Sequence, residues 1–106
     1  MNFMLVDVQA INATHRILST DEGKQIKQIA ESVLECGGLI IPLIVKHDPN
    51  DILRYILING YLRYRAVQLA RQREPRMHEM VNAVVTTEQS VQAVQEQVLS
   101  IRGLNL

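Results

Sequence analysis

The sequence predicts an α+β domain in which three helices pack against a small mixed β-sheet. Two kinds of pattern carry this prediction, namely short apolar runs typical of strands and amphipathic periodicities typical of helices. Along the chain they give the order β-α-β-β-α-β-α. A length of 106 residues favours a single domain spanning 1–106. A content of 47% hydrophobic and 21% charged residues is typical of a globular protein.

The first two predicted elements are a strand and a capped helix. Residues 3–11 are rich in branched side chains and predict the strand, and 12–18 predict an irregular connector. Residues 19–38 predict a helix because Ser19 and Glu22 have the spacing of a capping box, and two glycines follow. One face of this helix is apolar at intervals of three and four residues: Ile26, Ile29, Ala30, Val33 and Leu34.

A β-hairpin is predicted next. Residues 39–47 are almost wholly apolar, which predicts a strand covered on both faces, with Pro42 near its start or at a sheet edge. Residues 48–51 have Asp at the first position and Pro at the second, a combination that favours a β-turn. Residues 52–60 then predict the partner strand, which ends at Gly60.

The remaining residues predict helix, strand and helix. The second helix extends from Tyr61 to about Arg73, and residues 77–86 predict the next strand. A third helix is expected from about Thr87, with an apolar stripe formed by Val91, Val94, Val98 and Ile101. The exposed end of that stripe makes this C-terminal helix a candidate surface for a protein partner or a homodimer.

The charges are balanced overall but not along the chain. Eleven basic residues offset eleven acidic residues, so net charge alone indicates no class of ligand. The window 53–76, however, contains six arginines against Glu74, a local charge of +5. Basic regions attract nucleotides and polyanions, which makes Arg71, Arg73 and Arg76 a candidate nucleic-acid patch. The alternative is an ordinary solvated surface favoured by the helix dipole.

The cysteine content, the hydrophobic runs and the histidine spacing indicate the expected compartment and the absence of a metal site. A single cysteine, Cys36, excludes an intrachain disulfide, and no stretch has the pattern of a signal peptide or a membrane span, so a cytoplasmic protein without membrane contact is expected. The three histidines lack the spacing of metal ligands. We therefore predict no metal site and assign no catalytic residue.

The junction at Gly60 is the strongest candidate site. A strand that ends at a glycine and turns directly into a helix exposes the first helical amides, which have no partner within the helix. The glycine permits close approach of a ligand, and Arg63 in the first turn is placed to grip two phosphate oxygens. The pattern predicts an anion site, with phosphate as the preferred ligand.

The residues at this junction resemble a known family. "LINGYLRYRAVQLA" is similar to the "G-E-R-R-x-R-A" box of the ParB N-terminal domain and to the "G-C-H-R" box of sulfiredoxins, which share that fold. Upstream, "IAESVLECGGLIIPLIVK" resembles the ParB stretch "L-A-x-S-I-x-x-x-G-x-x-Q-P-I-x-V-R". The resemblance covers about residues 3 to 95 and implies a ParB/sulfiredoxin-like fold in a stand-alone domain.

The resemblance also implies a ligand, because members of this superfamily bind CTP or ATP in this pocket. Here that would be CTP or ATP with Mg²⁺. Phosphate contacts would come from Gly60, Arg63 and the amides of Tyr61 and Leu62, with Ser32 and Arg65 as further candidates. Arg16 falls where ParB proteins have a "Q-P-R" loop near the nucleotide, so it is a candidate ligand residue too.

The sequence departs from the family box at two positions. Tyr61 replaces both the ParB glutamate and the sulfiredoxin cysteine, and Leu62 replaces an arginine. The cysteine needed for thiol chemistry and the carboxylate that could assist hydrolysis are therefore missing from this box. The leading hypothesis is a ParB-like domain that binds nucleotide or nucleic-acid phosphate in plasmid or chromosome partition or control of DNA transfer. The alternatives are a protein-interaction module that has lost the ligand, and a ParB-like nuclease or nucleotide hydrolase.

Overall fold

A computed structural model describes residues 2–76 and 79–86 of the chain. They form five strands, two α-helices and one 3₁₀ turn, in the order β1 (Asn2–Asp7), the 3₁₀ turn (Val8–Ala10), β2 (Ile11–Asn12), α1 (Thr20–Cys36), β3 (Leu43–Asp48), β4 (Asp51–Asn59), α2 (Tyr61–Arg73) and β5 (Met80–Val85). The predicted third helix, its valine stripe and the dimer surface on it lie outside the described residues, as do positions 77 and 78.

The five strands form one mixed sheet, as predicted. Their order is β1-β5-β3-β4-β2, with β3 in the centre. β3 and β4 pair antiparallel as the predicted hairpin, and β1 pairs antiparallel with β5. β3 pairs with β5, and β2 with β4, in the parallel direction. The structure is therefore α+β with a small mixed sheet.

The central strand is buried on both faces. Leu43, Ile44 and Val45 have 0% exposure, and successive strand residues point to opposite faces. Leu43 and Val45 belong to a core that includes Val33 of α1 and Val67 of α2, so both helices pack on this face. Ile44 belongs to a second cluster. The predicted burial of this strand on both faces is confirmed.

The turns and caps follow the signals in the sequence. The Ser19 hydroxyl accepts a hydrogen bond from the Glu22 amide, and the Glu22 carboxylate accepts one from the Ser19 amide, each at 3.1 Å. α1 ends at Gly37, whose φ is 79°. In the hairpin turn, the Asp48 carboxylate accepts a hydrogen bond from the Asn50 amide at 2.8 Å.

The predicted first strand, 3–11, is divided in the structure. The Asp7 carboxylate accepts a hydrogen bond from the Gln9 amide at 2.8 Å and caps the 3₁₀ turn that interrupts the strand. β1 therefore lies at one edge of the sheet and β2 at the other. The predicted strand 39–47 starts later than expected, at Leu43, directly after Pro42, which has no amide hydrogen to donate.

Within the described part of the chain, no helix is both long enough and apolar enough to cross a lipid bilayer.

Candidate functional site

The site begins with the backbone of Gly60. This residue is the N-cap of α2, has φ 104° and makes no side-chain capping bond. Its carbonyl accepts the first helical hydrogen bond, from the Tyr64 amide at 2.8 Å. The dipole of α2 and its first amides therefore point toward the residue that joins β4 to α2.

The surroundings of Gly60 are crowded on one side. A Cβ atom added there would lie 2.9 Å from Leu43 Cδ2 and 3.0 Å from Arg63 Nη2. The Arg63 guanidinium therefore lies over the start of its own helix. A side chain at position 60 would displace it.

Arg63 also reaches the second half of α1. Together with Ser32 and Gly38 it lines a small, nearly filled cavity under Ile40. Ser32 and Arg63 thus line the same cavity. Ser32 does not line the open cleft beside Gly60.

That open cleft has a volume of about 380 Å³. Its walls are the connector after β2, the end of β4 and the start of α2, and the described lining is Ala13, Thr14, Arg16, Leu57, Ile58, Asn59, Gly60 and Tyr61. The parallel pairing of β2 with β4 explains this geometry. Ile11 is opposite Tyr55 and Asn12 opposite Ile56, so the chain that leaves β2 runs beside the end of β4.

Arg16 is held at the cleft by two contacts. Its guanidinium lies over the Tyr61 ring, 4.9 Å from the centroid, and Nη2 donates to Glu22 Oε2 at 2.8 Å. The hydrogen bond from Arg16 is the main reason that the pKa of Glu22 is lowered to about 2, and the Ser19 amide adds to the effect. The Arg16 side chain is 47% exposed, so it remains accessible to a ligand.

Tyr61 stands between Arg16 and Arg65. Arg65 Nη1 donates to the Tyr61 hydroxyl at 3.1 Å. Desolvation acts to raise the pKa of Tyr61, but the hydrogen bond from Arg65 and the charges of both arginines outweigh it, and the pKa is lowered. Tyr61 thus forms a wall of the cleft and ties the two arginines together.

Leu62 contributes to the core instead. Its side chain packs against a cluster formed by Ile26, Ala30 and Ala66, between α1 and α2. Leu62, which replaces the arginine of the family box, therefore has only its backbone amide available to a ligand at the start of the helix. A large apolar side chain suits this position because it faces α1.

The other predicted arginines do not form one continuous site. Arg65 and Arg71 line a second, larger cleft of about 750 Å³ along α2. Arg73 and Arg76 are exposed and are not among its lining residues. Sequence reasoning missed Thr14 and Asn59 at the first cleft and Gln9 at the second, because no local pattern shows which segments pair across the sheet.

Metal ligands are a separate question. Among residues 2–76 and 79–86, no group of three or more His, Cys, Asp or Glu side chains is placed to hold a metal ion. The carboxylate beside the cleft, Glu22, is engaged with Arg16.

Solved structures with the same fold are known. The chromosome-partitioning protein ParB from Caulobacter crescentus, C-terminally truncated and complexed with CTP-γ-S, matches with a TM-score of 0.64 and 17% identity over 89% of this chain and 50% of that one. The same protein complexed to the centromeric parS site matches with a TM-score of 0.56 and 16% identity, over 79% and 38%. A mutant of a free serine kinase in complex with AMP gives a TM-score of 0.58 and 14% identity, over 79% and 30%.

The chain spans half or less of the length of these three solved proteins. At these identities the similarity shows the fold. A search among curated proteins gave no match. The profile of the ParB N-terminal domain, in contrast, matches residues 2–100, nearly the whole sequence. With the mixed sheet and the glycine that opens α2, this match shows that the chain belongs to the ParB N-terminal domain family.

Proposed function

We propose that this ParB-like domain binds a nucleotide by its phosphates at the start of α2 and acts in DNA maintenance, either in plasmid or chromosome partition or in control of DNA transfer. One observation carries the proposal. The N-terminus of α2, which has no side-chain cap, lies at Gly60 in the wall of a cleft of about 380 Å³. Arg16 lines this cleft, and the Arg63 guanidinium lies next to Gly60.

The physical case rests on fixed positive charge in a concave site. Helix N-terminal amides and the helix dipole favour an anion, and guanidinium groups make charge-assisted hydrogen bonds to phosphate. Arg16 is already oriented by Glu22 and Tyr61, so less side-chain freedom is lost when a ligand binds. The volume of the cleft falls within the range that is typical of small-molecule sites.

The comparisons support a nucleotide as the class of ligand. Two proteins with this fold are complexed with CTP-γ-S and with AMP. A Mg²⁺ ion that accompanies the nucleotide would be bound mainly by the phosphate oxygens and water. Ser32 and Arg65 would act indirectly, Ser32 beside Arg63 and Arg65 through the Tyr61 hydroxyl.

Two observations favour a second function. The Arg16–Glu22 ion pair neutralises one of the two arginines, and Tyr61 occupies a wall where the family box has a carboxylate. Both features would suit a protein-interaction module that no longer binds a nucleotide. Nucleotide affinity distinguishes the two functions, because only the first requires it.

The experiment is a calorimetric titration of the protein with CTP and ATP, each with and without Mg²⁺. Arg16→Ala and Arg63→Ala should lower nucleotide affinity by about tenfold or more, the effect of losing one charge-assisted hydrogen bond. Arg73→Ala is the matched control, since Arg73 is exposed in the same helix away from the cleft, and it should change affinity by less than about twofold.

A DNA titration separates the phosphate sources. Paired substitutions at Arg73 and Arg76, the exposed part of the predicted nucleic-acid patch, should weaken binding of a duplex without changing CTP affinity. Folded protein that binds neither CTP nor ATP would overturn the nucleotide proposal and leave the interaction module. Circular dichroism of each variant confirms that it is folded.

A further inference from the structure

A second cleft lies along α2, apart from the candidate nucleotide site. It has a volume of about 750 Å³ and extends along α2 from Tyr64 to Gln72 and on to Pro75, with the 3₁₀ turn and the start of β2 as its other wall. Gly60 and Arg16 do not line it. Its position therefore requires an explanation of its own.

The floor of this cleft is apolar. Val8 and Ile11 are 2% and 3% exposed, and Leu69 of α2 and Ile26 of α1 continue the same surface. Tyr64 is also buried, and its hydroxyl lies 3.5 Å from the carbonyl of Ile11, to which it donates. Leu69 is only partly buried, so a ligand that fills the cleft would contact hydrocarbon there.

The rim of the cleft is polar and positively charged. Arg65 is fixed by its hydrogen bond to the Tyr61 hydroxyl. Arg71 donates from Nη1 and Nη2 to the Gln9 amide oxygen at 3.2 and 3.0 Å, in the amide orientation that satisfies both groups. Gln68 Nε2 donates to the Tyr64 hydroxyl at 2.9 Å. The described lining contains two guanidinium groups and no carboxylate.

We propose that this cleft is a second binding site, for a small organic anion with one phosphate or carboxylate group on a flat apolar body. Two pre-positioned arginines without a carboxylate favour an anionic group. The apolar floor favours a ligand body that can displace water from it. A free inorganic anion would leave that floor without a contact.

A strand of nucleic acid fits the cleft less well. Sequence-tolerant binding of single strands depends on aromatic rings on which the bases stack. Tyr64 is the one aromatic residue in the described lining, and it is buried with its hydroxyl engaged. The exposed arginines that would extend a phosphate track, Arg73 and Arg76, do not line the cleft.

The test uses phenyl phosphate as the probe and two half-probes, inorganic phosphate and benzyl alcohol. A ¹⁵N-correlated NMR titration follows the side-chain amide signals of Gln9, Gln68 and Gln72, all of which line the cleft. Phenyl phosphate should shift these signals and bind at least about tenfold more tightly than either half-probe, because it alone uses both the rim and the floor. Equal binding of inorganic phosphate would overturn the proposal.

Variants locate the site. Arg71→Gln should weaken phenyl phosphate binding by about tenfold, whereas Arg73→Gln, which removes the same charge from an exposed position of the same helix, should leave it unchanged. Gln72→Glu adds a carboxylate at an exposed lining position, where it does not disturb the core, and should also weaken binding. Equal effects of Arg71→Gln and Arg73→Gln would mean that general charge attracts the probe, and the proposal would fail.

The two proposed sites can fail independently. Arg16→Ala should weaken CTP binding and leave phenyl phosphate binding unchanged, and Arg71→Gln should do the reverse. If the probe instead shifts the amides of residues 13–16 and Gly60, it binds at the nucleotide cleft and the second site is refuted. If a single-stranded oligonucleotide displaces the probe, so that the glutamine signals change accordingly, the cleft binds nucleic acid and the small-anion proposal is refuted.

Discussion

At position 60 the backbone has φ 104°, a conformation that residues with a side chain rarely adopt. A side chain at position 60 would be unfavourable for two reasons. The backbone would be strained by any Cβ, and that Cβ would also meet Leu43 and Arg63 at 3.0 Å or less. Gly37, with φ 79° and nothing within 4 Å, has only the first of these effects. The two glycines thus allow strain and crowding to be measured separately.

We expect Gly60→Ala to lower the free energy of unfolding by more than Gly37→Ala does. The strained backbone alone costs about 1–3 kcal/mol, and the contact with Leu43 adds to it. Urea denaturation measures both losses. Gly23→Ala is the matched control, because Gly23 lies inside α1 with free space around it, and this change should stabilise the protein by about 0.5–1 kcal/mol. A loss at position 60 no larger than at position 37 would contradict the crowding.

Two tyrosines three positions apart have opposite ionisation behaviour. Burial raises the pKa of Tyr64, and the charges of Arg65 and Arg54 oppose this effect only in part. At Tyr61, desolvation is outweighed by the hydrogen bond from Arg65 and by the two nearby arginines, and its pKa falls. Tyr64 therefore acts as a core residue with a satisfied hydroxyl, whereas Tyr61 is part of the charged surface of the site.

At the scale of elements, the start of α1 is joined to the wall of the cleft at Gly60. Glu22 completes the capping box with Ser19 through Oε1 and pairs with Arg16 through Oε2. One carboxylate thus stabilises the first turn of the helix and orients the connector that precedes it. Loss of this side chain should affect both the helix and the position of Arg16.

The stability that Glu22 contributes should depend on pH in a defined direction. Its pKa is about 2 in the folded protein, below the ordinary value of 4.5, so the unfolded chain binds the proton first as pH falls. The contribution is therefore complete above the ordinary pKa and is lost as pH decreases from about 5 toward 2. Urea midpoints of the wild type and Glu22→Gln should differ at pH 7 and converge at low pH.

The control for this measurement is Glu31→Gln, which removes an exposed carboxylate from the same helix and shows any general effect of charge. An NMR titration of the Glu22 carboxyl gives its pKa directly. A Glu22 titration near the ordinary value would contradict the ion pair with Arg16. If the difference between the two urea midpoints stays constant from pH 7 to pH 3, the ion pair does not contribute to stability as expected.

At the scale of the molecule, β3 links the core to the site. Its residues lie at the centre of the sheet, and Leu43 both belongs to the core under the helices and forms the wall behind Gly60. The site therefore rests on the central strand of the sheet. This support gives the helix N-terminus a fixed position relative to the connector.

Leu43→Ala should accordingly lower the free energy of unfolding by about 2–5 kcal/mol, since it empties a fully buried position. Leu53→Ala is the matched control on the neighbouring strand. Leu53 is 80% exposed, and its loss should change stability by no more than about 0.5 kcal/mol. Thermal or urea unfolding followed by circular dichroism distinguishes the two. Similar losses at both positions would contradict the assignment of Leu43 to the core.

Much of the fold was predictable because its signals are local. The capping box at Ser19 and the Asp-Pro turn at 48–51 each act within a few residues. The almost wholly apolar run before that turn indicated a strand buried on both faces. The two arginines of the second cleft were predicted separately, Arg65 for the phosphate site and Arg71 for a surface patch. No spacing along the chain indicated that they share a cleft with Gln9.

The sequence by itself determined where α1 and α2 lie, that the strand before the hairpin turn is buried on both faces and that residue 60 opens the helix after β4, because caps, turns and apolar runs act through neighbouring residues. Only the tertiary structure decided that residues 3–11 divide between opposite edges of the sheet. The parallel pairing of β2 with β4 follows from that division and places Arg16 over Tyr61. Such pairings join residues more than 40 positions apart, and they depend on the packing of the whole sheet rather than on any local pattern.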